Sequence, residues 1–224
     1  MKKLLVPFCL TLIIFIGSVG VSESAEPING FCLSGTQYSH LPIAGKCSAS
    51  YEKGDYETAL REFKPLAEQG NAAAQYNLGQ MYRRGQGVPH DYKTAVKWYR
   101  LAAEQGNAYA QTNLGNRYRS GQGVPVDYKT AEKWFRLAAE QGIPHAQNNL
   151  GGLYHIGQGV LKDYVYAHMW LSIAAISAEG MNASKYRDIV AERRDFVAKQ
   201  MTPSQLEKAQ NLARECIRKK YKGC

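Results

Sequence analysis

This sequence of 224 residues lacks the short motifs that carry most enzyme chemistry. It has no GxSxG, HExxH or Walker-type segment, so no nucleophile elbow, metal pair or phosphate loop is indicated. Its five histidines include no pair spaced to place two ligands on one helical face. The sequence therefore predicts no catalytic residue, no metal site, no cofactor and no enzyme activity.

Cysteine is scarce, and none lies between Ala67 and Ala174. Apart from Cys9, the remaining cysteines form an even set, which in an exported chain suggests two disulfides. A zinc site is the alternative, but no pair has CxxC spacing. All three pairings of four cysteines stay open, and the local one closes the shortest loops. It joins Cys32 with Cys47 and Cys216 with Cys224.

An apolar run, Leu4–Val21, follows two lysines and precedes the small residues Ser22, Ser24 and Ala25. This order is typical of a secretory signal peptide, which we expect over residues 1–25 with cleavage near Ser24 or Ala25. The alternative is an uncleaved anchor, because about 18 apolar residues can just span a bilayer. The sequence favours cleavage and a periplasmic or secreted protein.

Acidic residues are in the minority, at 19 against 28 Lys and Arg, for a formal charge of +9. From Met181 to Cys224 there are 11 basic and 5 acidic residues, so most of the excess lies in this tail. A basic surface attracts acidic proteins, anionic polymers or lipids. Nucleic acid is not expected, because no binding motif occurs. The simpler interpretation is a solvated helix whose cationic end complements its own dipole.

A repeat of 36 residues runs through the chain. AEQG and GQGV each occur three times at this interval, and Asp-Tyr recurs at the same interval at Asp91, Asp127 and Asp163. All three tryptophans share the interval, and residues 67–102 match 103–138 at 28 of 36 positions. Each unit predicts two helices, the first capped by an Asn such as Asn71 and the second by Asp91 after a Gly- and Pro-containing turn. Since one such hairpin cannot bury its apolar stripe alone, the units must stack into a curved, all-α superhelix.

The repeats divide the chain into segments. We expect an N-terminal segment over residues 26–50 and an array over 51–175, made of a half-repeat (51–66) and repeats 67–102, 103–138 and 139–174. A C-terminal helical cap with the basic tail follows over 176–224, with helices at about 183–199 and 203–220. Thr202 and Gln205 predict a capping box for its second helix. The expected buried side chains of its first helix are Ile189, Phe196 and Val197.

The pattern AxxGxxxAQxxLGxxYxxGxGVxxDxxxAxxWxxxAA, present three times, resembles the Sel1-like repeat, a relative of the tetratricopeptide class. The resemblance covers about Tyr51 to Ala175, and Arg193 to Ala213 resembles a tail found in exported proteins of this type. It implies a right-handed α/α solenoid and an adaptor that binds a protein or peptide. Cysteine-rich relatives have been linked to penicillin binding or hydrolysis, but they carry a cysteine pair in each repeat, which is absent here.

Recurring polar positions on the first helix of each repeat are the candidates for contact with a partner. In related superhelical repeats the first helices line the concave surface, where Asn side chains can bond an extended peptide and Arg can attract a carboxylate. The same amides could instead tie one repeat to the next. Two further functions remain open, an envelope hydrolase and a ligand of anionic polymer or lipid through the tail. The candidate residues are Gln75, Gln111, Gln147, Asn77, Asn113, Asn149, Arg83 and Arg119.

Overall fold

The computed structural model describes residues 49–178 and 184–224, and within them every regular element is a helix. The predicted signal peptide and the Cys32 and Cys47 pair lie outside the described residues. The helices are α1 (Ala49–Glu52), α2 (Tyr56–Glu68), α3 (Ala72–Arg84), α4 (Tyr92–Glu104), α5 (Ala108–Ser120), α6 (Tyr128–Ala139), α7 (Pro144–Ile156), α8 (Tyr164–Ser177), α9 (Ser184–Ala198) and α10 (Pro203–Arg218).

Three helix hairpins form the array, and in each the first helix (α3, α5 or α7) packs against the second (α4, α6 or α8). The predicted caps are confirmed at α3, where the Asn71 side chain accepts from the backbone N–H of Ala74, and at α4, where Asp91 accepts from Lys93. The start of α7 differs because Ile143 replaces the capping Asn and Pro144 takes the first helical position. Proline suits that position because its missing N–H would have had no helical partner.

Glycine in the middle of each first helix allows the second helix to approach closely. A Cβ at Gly115 would lie 2.7 Å from ring carbons of Phe135, and one at Gly79 would lie 2.7 Å from the ring of Tyr99. Both aromatic rings are fully buried. The glycine thus costs some helix propensity, but in the first two hairpins it makes room for a buried aromatic ring of the second helix.

The turn between the two helices docks on the preceding repeat. Gly123 has a φ of +81°, and a Cβ there would lie 2.4 Å from the carbonyl oxygen of Tyr92. Gly159 stands in the same relation to Tyr128, with the same 2.4 Å separation. Only glycine tolerates both the left-handed backbone and this contact, so the turn also fixes how successive repeats stack.

The C-terminal pair covers α8, whose Trp170 is fully buried. The predicted capping box of α10 is confirmed, since Thr202 and Gln205 bond each other's backbone N–H groups. The expected buried side of α9 is partly wrong: Val197 is buried, but Ile189 and Phe196 are 44% and 58% exposed. Val190, one position further along than Ile189, takes the inward place, so the helix is rotated from the predicted orientation.

A disulfide joins Cys216 in the last turn of α10 to Cys224, which for these two cysteines is the local one of the pairings that the sequence leaves open. Cys216 is buried, and it lies in the same apolar cluster as Trp170. Tyr221, between the two cysteines, packs against Gly142 at the end of α6. The disulfide therefore holds the end of the chain against the last repeat, and it is compatible with an oxidising compartment.

Candidate partner-binding face

The recurring glutamines are buried, and two of them, Gln75 and Gln111, each connect three helices. Gln111 on α5 donates through Nε2 to the carbonyl of Ala103 at the end of α4, at 3.1 Å. Its Oε1 accepts from Gln141, which follows α6, at 2.8 Å. Gln75 has the equivalent bonds with Ala67 and Gln105. With 3% and 4% of their surfaces exposed, these two amides tie neighbouring repeats.

Gln147 occupies the same position in the third repeat and is completely buried. Its Nε2 donates to the carbonyl of Ala139, at 3.2 Å. The residue 36 positions after Gln141 is Ser177 rather than Gln, and among the described residues Gln147 Oε1 has no hydrogen-bond partner. The tie between repeats therefore loses its second bond at the last repeat, where the sequence diverges.

The recurring asparagines differ in their surroundings from one repeat to the next. Asn77 is 7% exposed. Asn113 is half-buried and donates to the carbonyl of Tyr109 in its own helix, at 2.9 Å. Asn149 is also half-buried, and it is in contact with the neighbouring first helix through Asn116, at 3.3 Å. Of the three, Asn149 is the one placed to act together with side chains of another repeat.

The recurring arginines are held over the surface by amides. Arg83 Nε donates to Gln80 Oε1 at 2.7 Å, and Gln80 also accepts from the hydroxyl of Tyr99. Arg119 donates to Asn116 Oδ1 at 3.0 Å and to Asn149 Oδ1 at 3.2 Å. Neutral amide oxygens thus orient both guanidinium groups without neutralising their charge, which leaves it available to a ligand.

The helix α9 continues the row of first helices. Arg193 on α9 donates to Asn148 Oδ1 on α7 at 2.8 Å. Tyr186 stacks on His145 with ring centroids 4.2 Å apart, and Phe196 meets His155 edge to face at 5.6 Å. We use the name arginine face for the surface formed by Gln80, Arg83, Asn116, Arg119, Asn148, Asn149 and Arg193.

The arginine face carries positive charge without an acidic partner. Burial and the nearby charges of Arg193 and Arg117 lower the pKa of Arg119, as expected for a guanidinium with like charges around it. Within residues 49–178 and 184–224, none of the ion pairs includes Arg83, Arg119 or Arg193. The pairs found there are Arg136 with Glu132, Arg194 with Asp195 and Lys219 with Glu215.

A cavity of about 340 Å³ lies between α7, α8 and α9, beside Arg193. Its apolar wall comprises Leu171, Phe196 and Val197, and Gly152 and His155 of α7 line it as well. Glu192 is its acidic lining residue and is exposed. Burial, then Lys162 and Arg193, lower the pKa of His155, which favours the neutral imidazole.

Sequence reasoning identified Arg83, Arg119 and Asn149 but missed Gln80, Asn116 and Arg193. Gln80 and Asn116 differ between repeats, so no recurrence marked them. Arg193 lies outside the repeats, and its role depends on how α9 packs. In the sequence, an isolated Arg three residues before a Phe is not a pattern that indicates a binding site.

Stacked helix hairpins with a buried seam of small and aromatic residues define a helical repeat protein. The Sel1 repeat model matches residues 72–107, 108–143 and 144–177. A solved Sel1 repeat protein from Oxalobacter formigenes is 30% identical, with a TM-score of 0.56, covering 75% of this chain and 72% of that one. The chain belongs to the Sel1 repeat family, whose members generally act as protein–protein interaction modules and are typically non-enzymatic scaffolds.

A protective antigen of uropathogenic Escherichia coli with an SLR fold is 32% identical, with a TM-score of 0.52. The match covers 73% of this chain and 42% of that protein, so the chain spans less than half the length of that relative. No curated protein matches the sequence. In the part of the chain that the structure describes, no helix has the length and apolar character to cross a membrane.

Proposed function

We propose that this chain is an exported interaction module that binds an acidic segment of a protein partner through its arginine face. The observation that carries the proposal is the pair Arg83 and Arg119, which recur at equivalent positions and are each oriented by a neutral amide rather than a carboxylate. A protein that needed these arginines only for folding would gain more from pairing them with Glu or Asp.

The face belongs to the first helices, which line the concave surface in superhelical repeats of this kind. A concave row of guanidinium and amide groups can bond both the side chains and the backbone of an extended peptide. The buried Gln75, Gln111 and Gln147 contribute by fixing the spacing of the first helices. The contacts to a partner therefore rest on Asn149 and the arginines rather than on the glutamines.

The test compares two double variants of the full chain as bait in a native envelope fraction. Arg83→Ala with Arg119→Ala removes two charges from the arginine face. Lys97→Ala with Lys133→Ala removes two charges at the same 36-residue interval from exposed positions on the second helices. Both baits are checked for equal helicity and melting temperature first.

We expect the arginine variant to lose partners that the wild-type chain and the lysine variant retain, and those partners to dissociate as salt rises. Equal loss from both variants would indicate binding by net charge alone. Unchanged partners in the arginine variant would contradict the proposal. Either result would indicate that binding uses the basic tail or another surface.

Export is tested separately by cell fractionation and intact mass. We expect the mature chain in the periplasmic or secreted fraction, shortened at its N-terminus by about 25 residues, the usual length of a signal peptide. An intact chain in the cytosolic fraction would remove export from the proposal.

A further inference from the structure

The arginine face and the cavity beside α9 meet at one residue, Arg193. Its Nη1 donates to Asn148, and its side chain also lines the cavity. Its Nη2 lies over Gly152, where a Cβ would be only 3.1 Å away. Because Gly152 has no side chain, the guanidinium group of Arg193 can pack against α7.

Arg119 approaches the same part of α7 from the other side. It donates to Asn149 Oδ1 at 3.2 Å, and Asn149 follows Asn148 directly. Arg119 and Arg193 thus bond to consecutive side chains of α7 from its two sides. The charge of Arg193 also contributes to lowering the pKa of Arg119, as expected for like charges that repel each other. A single anion between them would relieve this repulsion and accept hydrogen bonds from both.

The adjoining cavity defines what must be attached to that anion. At about 340 Å³, it is at the lower end of the roughly 300–1,000 Å³ of small-molecule pockets and suits one apolar side chain. Phe196 at its edge is 58% exposed, as is common for aromatic residues that become buried in an interface. Because Arg193 borders both parts, one residue that carries both an anion and an apolar group would contact both of them.

The residue that carries a carboxylate and an apolar side chain on the same Cα is the last residue of a polypeptide. We propose that α5, α7 and α9 form a site for the C-terminal residue of a partner protein. Its carboxylate lies between Arg119 and Arg193, and its apolar side chain enters the cavity against Leu171, Phe196 and Val197. This proposal rests on the proposed function and specifies which part of the partner is bound.

The test uses peptide pools with five random residues followed by a fixed last residue. One pool ends in Leu with a free carboxylate, a second in Leu amide, and a third in Gly with a free carboxylate. Binding to the full chain is followed by NMR through the backbone and the arginine Nε–Hε signals, which detects even millimolar affinities. We expect the Leu acid pool to bind at least tenfold more tightly than either of the others.

Two substitutions localise the effect. Arg193→Gln is expected to abolish the preference for the free acid, and Gly152→Ala to weaken it by displacing the guanidinium. Arg194→Gln is the matched control, because the neighbouring Arg194 is committed to Asp195 at 2.7 Å. Its preference for the free acid should match that of the wild-type chain.

Several results would overturn this proposal. One is equal binding of the acid and amide pools, which would assign the site to acidic side chains. Another is that no pool binds. A change in the Arg119 and Arg193 signals on deleting residues 26–48, without response to peptides, would assign the site to the chain itself. If Arg83 and Arg119 still control partner capture in any of these cases, the proposed function stands and only the C-terminal site fails.

Discussion

Arg193 on α9 donates a 2.8 Å hydrogen bond to the side-chain oxygen of Asn148 on α7, and this bond joins the C-terminal pair of helices to the repeat array. Hydrogen bonds to a charged group contribute about 1.5–3 kcal/mol at buried sites, and less here because Arg193 is exposed. A double-mutant cycle of Asn148→Ala and Arg193→Ala should give a coupling of about 0.5–1 kcal/mol. Urea unfolding of the four proteins measures it, and additive effects would show that the bond is not formed in solution.

The glutamine ties predict a loss of stability when one is removed. Gln111→Ala removes two hydrogen bonds of a buried amide, one with Gln141 and one with the carbonyl of Ala103. At about 0.5–1.5 kcal/mol for each bond, we expect the free energy of unfolding to fall by about 1–3 kcal/mol. Gln210→Ala on α10 is the control, because Gln210 is exposed. Equal midpoints of chemical unfolding for the two variants would contradict the structural role of Gln111.

The glycine at the centre of each first helix predicts an overpacking effect. In Gly115→Ala the new Cβ meets the ring of Phe135 at 2.7 Å, and we expect a loss of about 1–3 kcal/mol despite the better helix propensity of Ala. Phe135→Leu in the same chain should restore part of it. Gly152→Ala is the control, because its new Cβ meets only the mobile end of Arg193. Thermal unfolding of the variants decides whether Gly115→Ala is the more harmful.

The disulfide between Cys216 and Cys224 closes a loop of nine residues. Loop-closure entropy for that length corresponds to about 2–3 kcal/mol, so Cys224→Ser should lower the melting temperature and increase hydrogen exchange in the last turn of α10. Adding reductant to wild-type protein should reproduce this loss. Reductant added to the variant reports any separate effect of Cys32 and Cys47. No change in hydrogen exchange of α10 would contradict the prediction.

The buried His168 predicts a pH dependence. Burial, then the charge of Arg194, lower its pKa, and Asp195 offsets this in part; its Nδ1 also contacts the Ser172 hydroxyl. The unfolded chain therefore takes up a proton more readily than the folded one as the pH falls below about 6.5. The stabilisation from neutral His168 is complete above that pH and is lost as the pH falls through the lower, folded-state pKa.

Unfolding free energies at pH 7.5 and 5.0 test this for the wild-type chain and His168→Gln. We expect the wild-type chain to lose more stability on acidification, because the variant has no proton to take up at this position. Identical losses would show that His145, His155 and the carboxylates account for the whole dependence.

The amino-acid sequence by itself determined the repeat, the helix hairpins and most of their caps. These features are local, because Asn71 and Asp91 cap the helices that follow them directly, and the repeat interval is visible without coordinates. It also predicted the capping box of Thr202. Of three possible cysteine pairings, it indicated that the one joining Cys216 with Cys224 closes the shortest loops. Both features depend on residues close in the chain.

Only the tertiary structure decided what the repeated polar residues do. Gln111 and Asn149 recur with the same regularity, yet one is buried between repeats and the other lies on the arginine face, because packing between helices sets exposure. The rotation of α9 likewise follows from its fit against α7 and α8, where Val190 rather than Ile189 fills the available space. That rotation brings Arg193 to Asn148 and leaves Phe196 exposed, which no local pattern in the sequence encodes.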